Sequence, residues 1–265
     1  RSGNASGIID DGTVTVAGDL AATTNANSGV IDLGDLAVDG TIALNTHSGG
    51  AATIVNDAAI EFAASTVGGA LSATATTGDI TDSGALVITG LTTLIPGNSD
   101  DAILDHPSND FQGGLIITST GDVTLVDIGA IELGATTVTG NYTVTAGGAV
   151  TDVGTQEVTG VTTISASGHE VTLDTPTNNF ADEVRITGAA VTLVDEDAID
   201  LGISTVSGTY TVTATGPVTQ SGALAITGVA TIEAGSGNNI TLGDTSNNFQ
   251  AAVIITSGNN VTLVD

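Results

Sequence analysis

The pentapeptide Val123-Thr-Leu-Val-Asp127 recurs unchanged at 191–195 and 261–265, and in altered form as Ala52-Thr-Ile-Val-Asn56. The intervals are 71, 68 and 70 residues, so one unit is written three times with a looser copy ahead of it. A fixed period of this length argues against a single globular core. It asks for an array in which each unit buries its apolar side against its neighbours. Repeat boundaries fall near 52–122, 123–190 and 191–260. Residues 1–69 are the degenerate start of the array, and 70–265 are the regular part, continuous with it in a single elongated domain.

Each repeat divides into three shorter windings. Ala70–Gly90, Asn141–Gly160 and Thr209–Gly228 align with one another. Leu91–Gly114, Val161–Glu183 and Val229–Ala252 follow, then Leu115–Gly140 and Val184–Gly208, giving windings of about 20–26 residues. Inside a winding, apolar residues alternate over a few positions and then meet Gly, Asn or Asp. Tyr210, Val212 and Ala214 fall on one side of Thr209-Tyr-Thr-Val-Thr-Ala214, with the threonines on the other. The pairs Ile31/Leu33, Ile60/Phe62, Ile131/Leu133 and Ile199/Leu201 point inward around outward Asp32, Glu61, Glu132 and Asp200. Period two in β-branched runs bounded by turn residues is the pattern of strands, and no segment carries a helical period.

The expected fold is therefore all-β: a right-handed parallel β-helix, or β-solenoid, with three coils in each 70-residue repeat. Composition agrees, since aromatics make up 2% of the chain and the interior must be built from Val, Ile, Leu, Ala and Thr. A string of small sandwich domains is the competing all-β arrangement, but sandwiches favour aromatic-rich cores and unequal strands.

The motifs Val191-Thr-Leu-Val-Asp195, Ala198-Ile-Asp-Leu-Gly202, Thr209-Tyr-Thr-Val-Thr-Ala214, Gln220-Ser-Gly-Ala-Leu224 and Asn238-Asn-Ile-Thr-Leu242 resemble the repeats of filamentous-haemagglutinin-like exoproteins. These are large secreted bacterial β-helix adhesins. The resemblance covers residues 50–265 well and 1–49 loosely. It implies a structural or adhesive rod outside the cell or on its surface. Its partners would be neighbouring solenoid segments, other copies of itself, or a host or environmental surface or glycan. The alternative is a self-assembling filament or surface-layer subunit. The first residues lack the pattern of a signal peptide and the last repeat stops partway, so a piece of a longer chain is expected.

Net charge is −28, with no lysine and only Arg1 and Arg185 as cations. Nucleic acid is excluded as a partner, because neutralising phosphates takes several Lys or Arg side chains. No apolar run reaches the ~20 residues that span a bilayer. The absence of cysteine removes disulfides and thiolate metal sites.

One corner recurs as Asp105-His-Pro-Ser-Asn-Asp-Phe111, Asp174-Thr-Pro-Thr-Asn-Asn-Phe180 and Asp244-Thr-Ser-Asn-Asn-Phe249. Turn chemistry is the preferred reading: Asn109, Asn178 and Asn247 bond their local backbone, while Phe111, Phe180 and Phe249 plug the core. With three coils per repeat, the three phenylalanines stack along one line. Asp105, Asp110, Asp174, Asp195, Asp197 and Asp244 are weak calcium candidates, since calcium takes six to eight oxygens. Asp127, Asp195 and Asp265 close the opening strand of each repeat and are assigned, with Asp197, to a solvated acidic face. No cofactor is expected.

Catalysis is not expected either. No acidic pair stands outside the repeat to serve a glycosidase, and β-helix lyases want a cationic base on acidic sugar. His47, His106 and His169 fall at non-equivalent places. An ice-binding face would need regular files of outward threonine, and two files come near it. One is Thr143, Thr163, Arg185, Thr211, Thr231 and Ile254; the other is Thr145, Ser165, Thr187, Thr213, Glu233 and Thr256. Arg185 and Glu233 break their regularity.

Overall fold

The computed structural model describes residues 7–265 and falls into two compact units, Arg1–Glu132 and Leu133–Asp265. Among the described residues every regular element in both is a β-strand, and the strands pair in parallel. Each unit is a β-solenoid, as the period-two pattern requires.

In the first unit, Ile31, Ala52, Leu71, Thr92 and Leu115 lie in register on successive coils. A second column runs Ile60, Ile80, Ala102, Val123. A third joins Val67, Ile88 and Phe111. The second unit is built likewise. One column runs Val150, Val171, Val191, Tyr210, Ala230, Val253, and another runs Ile199, Val218, Ile240, Val261. Alternate residues enter the core: Tyr210, Val212, Ala214, Ile199 and Leu201 are at most 2% exposed. Aliphatic layers ~4.8 Å apart are the source of stability, since one coil alone buries too little to fold.

The register refines the sequence-based winding count. The repeat from Val191–Asp195 to Val253–Ser257 holds ten strands, and each strand pairs with the one three further along. Seventy residues thus wind three full coils and one strand more. Equivalent residues do not stack. Val191 lies on Val171 and Tyr210, whereas its counterpart Val261 lies on Ile240 in another column. Phe180 sits on Val158, and its counterpart Phe249 sits on Ile226 in the column of Val206. The expected single line of phenylalanines is therefore replaced by a step of one column per repeat.

Close stacking explains one set of glycines. A Cβ on Gly84 would lie 2.3 Å from the backbone N of Ala64, on Gly154 2.4 Å from that of Ala135, and on Gly222 2.3 Å from that of Ile203. No side chain fits where the neighbouring coil passes this closely.

Two inward threonines carry a polar flaw. The wholly buried hydroxyls of Thr92 and Thr162 meet no hydrogen-bond partner among the described residues. The equivalent residue of the third repeat is Ala230. Replacing a lone buried hydroxyl by a methyl of the same shape removes its desolvation cost. Thr162→Val is expected to stabilise the protein by about 1 kcal/mol, read as a higher midpoint in chemical denaturation, with Thr163→Val on the outer face as a near-neutral control.

Candidate functional site

The most elaborate side-chain chemistry of the repeat faces inward, at the corner that ends in phenylalanine. In the first unit Asn109 is wholly buried. Its Oδ1 accepts from the Leu86 N–H one coil earlier at 2.8 Å, and its Nδ2 donates to Asp82 Oδ2 at 2.6 Å. Asp82 Oδ1 accepts from the N–H groups of Asp105 and His106 at 3.0 and 3.3 Å. On the other side stands Asp127, 2% exposed. Its Oδ2 accepts from the Phe111 N–H and its Oδ1 from the Gly129 N–H, both at 2.6 Å. An acid, an amide and an acid, drawn from three successive coils, thus hold the corner around the buried Phe111 ring.

The second unit repeats the stack. Asn178 Oδ1 accepts from the Gln156 N–H at 2.8 Å, and its Nδ2 donates to the buried Asp152 Oδ2 at 2.6 Å. Asp152 also accepts from the N–H groups of Asp174 and Thr175. Asp195, with no exposed surface, accepts from Phe180 N–H at 2.8 Å and Asp197 N–H at 2.7 Å. A further copy substitutes a neutral group. Gln220 takes the place of Asp82 and Asp152, bonding Asn247 and the N–H of Asp244. Asp265 there accepts from the Phe249 N–H at 2.8 Å. In the leading copy Asn56 stands where Asp127 and Asp195 stand. Its Oδ1 accepts from the Val38 N–H at 2.9 Å, and its Nδ2 donates to the carbonyls of Val38 and Ala59 at 3.1 and 2.8 Å.

Two sequence-based expectations are corrected here. Asp127 and Asp195 do not belong to a solvated face; they are interior residues, placed by the same alternation that buries Val123, Leu125, Val191 and Leu193. Asn109, Asn178 and Asn247 bond a neighbouring coil rather than their own turn. The phenylalanines do plug the core. Asp82, Asp152, Gln220 and Asn56 were not singled out from sequence.

Burial pushes the carboxyls of Asp127 and Asp195 above the ordinary carboxylate range, against the pull of their backbone N–H donors. Asp110 adds repulsion at Asp127, as do Asp197 and Glu196 at Asp195. Asp82 is raised as well, chiefly by burial, with the neighbouring Asp105 charge as a smaller contribution.

The calcium candidates are not drawn together. Asp105, Asp174 and Asp197 are exposed, Asp110 and Asp244 are half-buried, and Asp195 is interior. Asp110 accepts from Gln112 Nε2, and Asp244 from the N–H of Ser246 in its own turn. Among the described residues no three His, Asp or Glu side chains form a metal-holding group. His47 and His169 are exposed, and His106 Nδ1 accepts from the Ser108 N–H.

The threonine files also change. Thr143, Thr163 and Arg185 share one ladder, whereas Thr211 and Thr231 belong to another. That second ladder extends back through Thr192 and Thr172 to Thr151, five half-buried threonines in a row before Ile254. A shallow depression of about 370 Å³ in the second unit is lined by Asn141, Thr143, Val161, Thr163 and Arg185. Arg185 is paired with Glu183, whose other oxygen accepts the Ser221 hydroxyl at 2.8 Å. No helix among the described residues is long and apolar enough to cross a membrane.

Parallel coils wound from one sequence unit and pinned by a recurring inward polar stack define a repeat β-solenoid protein. The particular family is the repeats of unknown function designated DUF5649, whose model matches residues 49–118, 120–187 and 188–256; the chain belongs to it. Each matched segment contains one phenylalanine-ending turn with its buried asparagine, Asn109, Asn178 or Asn247. No curated protein and no solved structure matches the chain.

Proposed function

We propose that the chain is a non-catalytic structural rod, part of a large secreted or cell-surface bacterial protein that serves in adhesion, matrix or fibre formation. One observation carries this reading: the recurring side-chain chemistry of the repeat is spent inward, on holding coil to coil. A catalytic site needs convergent groups at a surface where substrate can reach them. Here Asp82, Asn109 and Asp127, and likewise Asp152, Asn178 and Asp195, consume their hydrogen-bonding capacity on strand ends. Outward positions hold threonine, short acids and glycine, a surface suited to solubility at high negative charge. The resemblance to filamentous-haemagglutinin-like repeats supports the extracellular setting, with neighbouring solenoid segments, further copies, or an external surface or glycan as partners.

Immunogold labelling and negative-stain microscopy of native material test the reading. Label outside the cell on isolated thin rods is the expected result. Label in the cytoplasm would overturn it, and long polymers or sheets would favour a filament or surface-layer subunit instead.

A further inference from the structure

We propose that Asp127 and Asp195 are proton-uptake positions built into the repeat: in mildly acidic surroundings their side chains become neutral inside the folded solenoid. Each unit then resists unfolding better there than at neutral pH. Both groups are interior, both end an inward-facing strand, and both hold a phenylalanine corner of the preceding coil through its N–H. The leading copy shows that the place accepts a neutral, hydrogen-donating side chain. Asn56 is fully buried there and turns its Nδ2 to the Val38 carbonyl while its Oδ1 keeps the Val38 N–H. A protonated carboxyl at 127 or 195 would likewise keep the N–H of Phe111 or Phe180 on one oxygen while carrying a donor, as Asn56 does.

The charges around each position are almost all of one sign. Asp127 has Asp110 on the strand it holds and, across Asn109, Asp82 with Asp105 and His106 beside it. Asp195 has Glu196 and Asp197 on its own turn and, across Asn178, Asp152 with Asp174 beside it. Arg185, the one Lys or Arg among the described residues, is engaged by Glu183. No guanidinium or ammonium among the described residues offsets either buried carboxylate, so protonation relieves both desolvation and repulsion.

The sign follows by linkage. Burial raises these carboxyls above the ordinary value of ~3.9. Between that value and the raised one the folded chain holds more protons than the unfolded chain, so stability climbs as pH falls through the folded value. The gain is complete below the ordinary value and absent above the folded one. This is opposite to the usual carboxylate, whose ion pairs are lost in acid.

Three proteins are compared by thermal unfolding at about pH 7 and about pH 4.5, the latter just above the ordinary carboxyl value. They are the parent, Asp127→Asn with Asp195→Asn, and the exposed control Asp32→Asn with Glu170→Gln. The parent and the control should gain several degrees on acidification, and the buried pair should lose at least half of that gain. Carboxyl-carbon NMR titration of the parent gives a second reading that does not depend on a variant folding. Asp127 and Asp195, together with Asp82, should titrate above the ordinary carboxyl value, and the resonances of the first two should be the ones missing from the raised set in the variant. An undiminished gain in the buried pair, or titration of every carboxyl at the ordinary value, overturns the proposal.

Discussion

Asn178→Ala is expected to cost about 2–4 kcal/mol of unfolding free energy. Its truncation strands two groups at once. The Gln156 N–H loses its acceptor, and the buried Asp152 carboxylate loses the 2.6 Å donor between it and the core. An orphaned buried N–H costs about 1–3 kcal/mol, and losing one of the three donors to a buried carboxylate, which keeps the Asp174 and Thr175 N–H groups, adds about 1 kcal/mol more. Asn179 is the adjacent control, the same amino acid one position on. It is half-buried and its backbone pairs with Glu157. Asn179→Ala should therefore lie within about 0.5–1 kcal/mol of the parent. Urea denaturation of both variants separates them. Equal losses would mean that the corner is held by its turn and not by the inward amide. Asn109→Ala should behave as Asn178→Ala does, because Leu86 and Asp82 repeat the same contacts.

The fold class was legible because two periods coincide: a unit near 70 residues and an alternation of two within it. The inward set Ile31/Leu33, Ile60/Phe62 and Ile199/Leu201 is where the alternation places it. The polar stack was legible by the same rule and was missed through a competing one. Alternation from Val123 and Leu125 puts Asp127 inward, and from Ile80 and Val150 it puts Asp82 and Asp152 inward too. The habit of sending every carboxylate to water overrode that parity, although buried polar groups are common once they are hydrogen-bonded. What sequence could not supply was the column step. Coil lengths vary, so Glu183–Gly188 meets both Ile199–Leu201 and Ser204–Val206, and only the pairing register distinguishes nine strands from ten. The threonine files failed for the same reason: Arg185 and Thr211 look aligned by length but lie in different ladders.

Three strands to a coil make deletion of a whole coil and deletion of a single strand opposite experiments. Removing Tyr210–Val229 takes out three strands: Tyr210–Ala214, Val218–Gln220 and Leu224–Ile226. Ala230 then falls in the column of Val191, which Tyr210 occupied, and every later strand keeps its column. The protein should still melt cooperatively, at a lower midpoint. One aromatic layer is lost, and Asn247 no longer finds Gln220. Removing only Ser221–Thr227 deletes the single strand Leu224–Ile226 and shifts everything after it by one column. Ala230–Glu233 would then face Ser204–Val206, and the long turn before Ile240 would fall where a short one belongs. The inward amide of Asn247, which needs the Leu224 N–H, would have no strand to hold. Although it deletes fewer residues, this variant should lose hydrogen-exchange protection throughout 230–265 and melt without a sharp transition for that segment. Far-UV circular dichroism and amide exchange on the two proteins decide the matter. If the seven-residue deletion were tolerated as well as the twenty-residue one, columns would be interchangeable, and the step of one column per repeat would have no structural consequence.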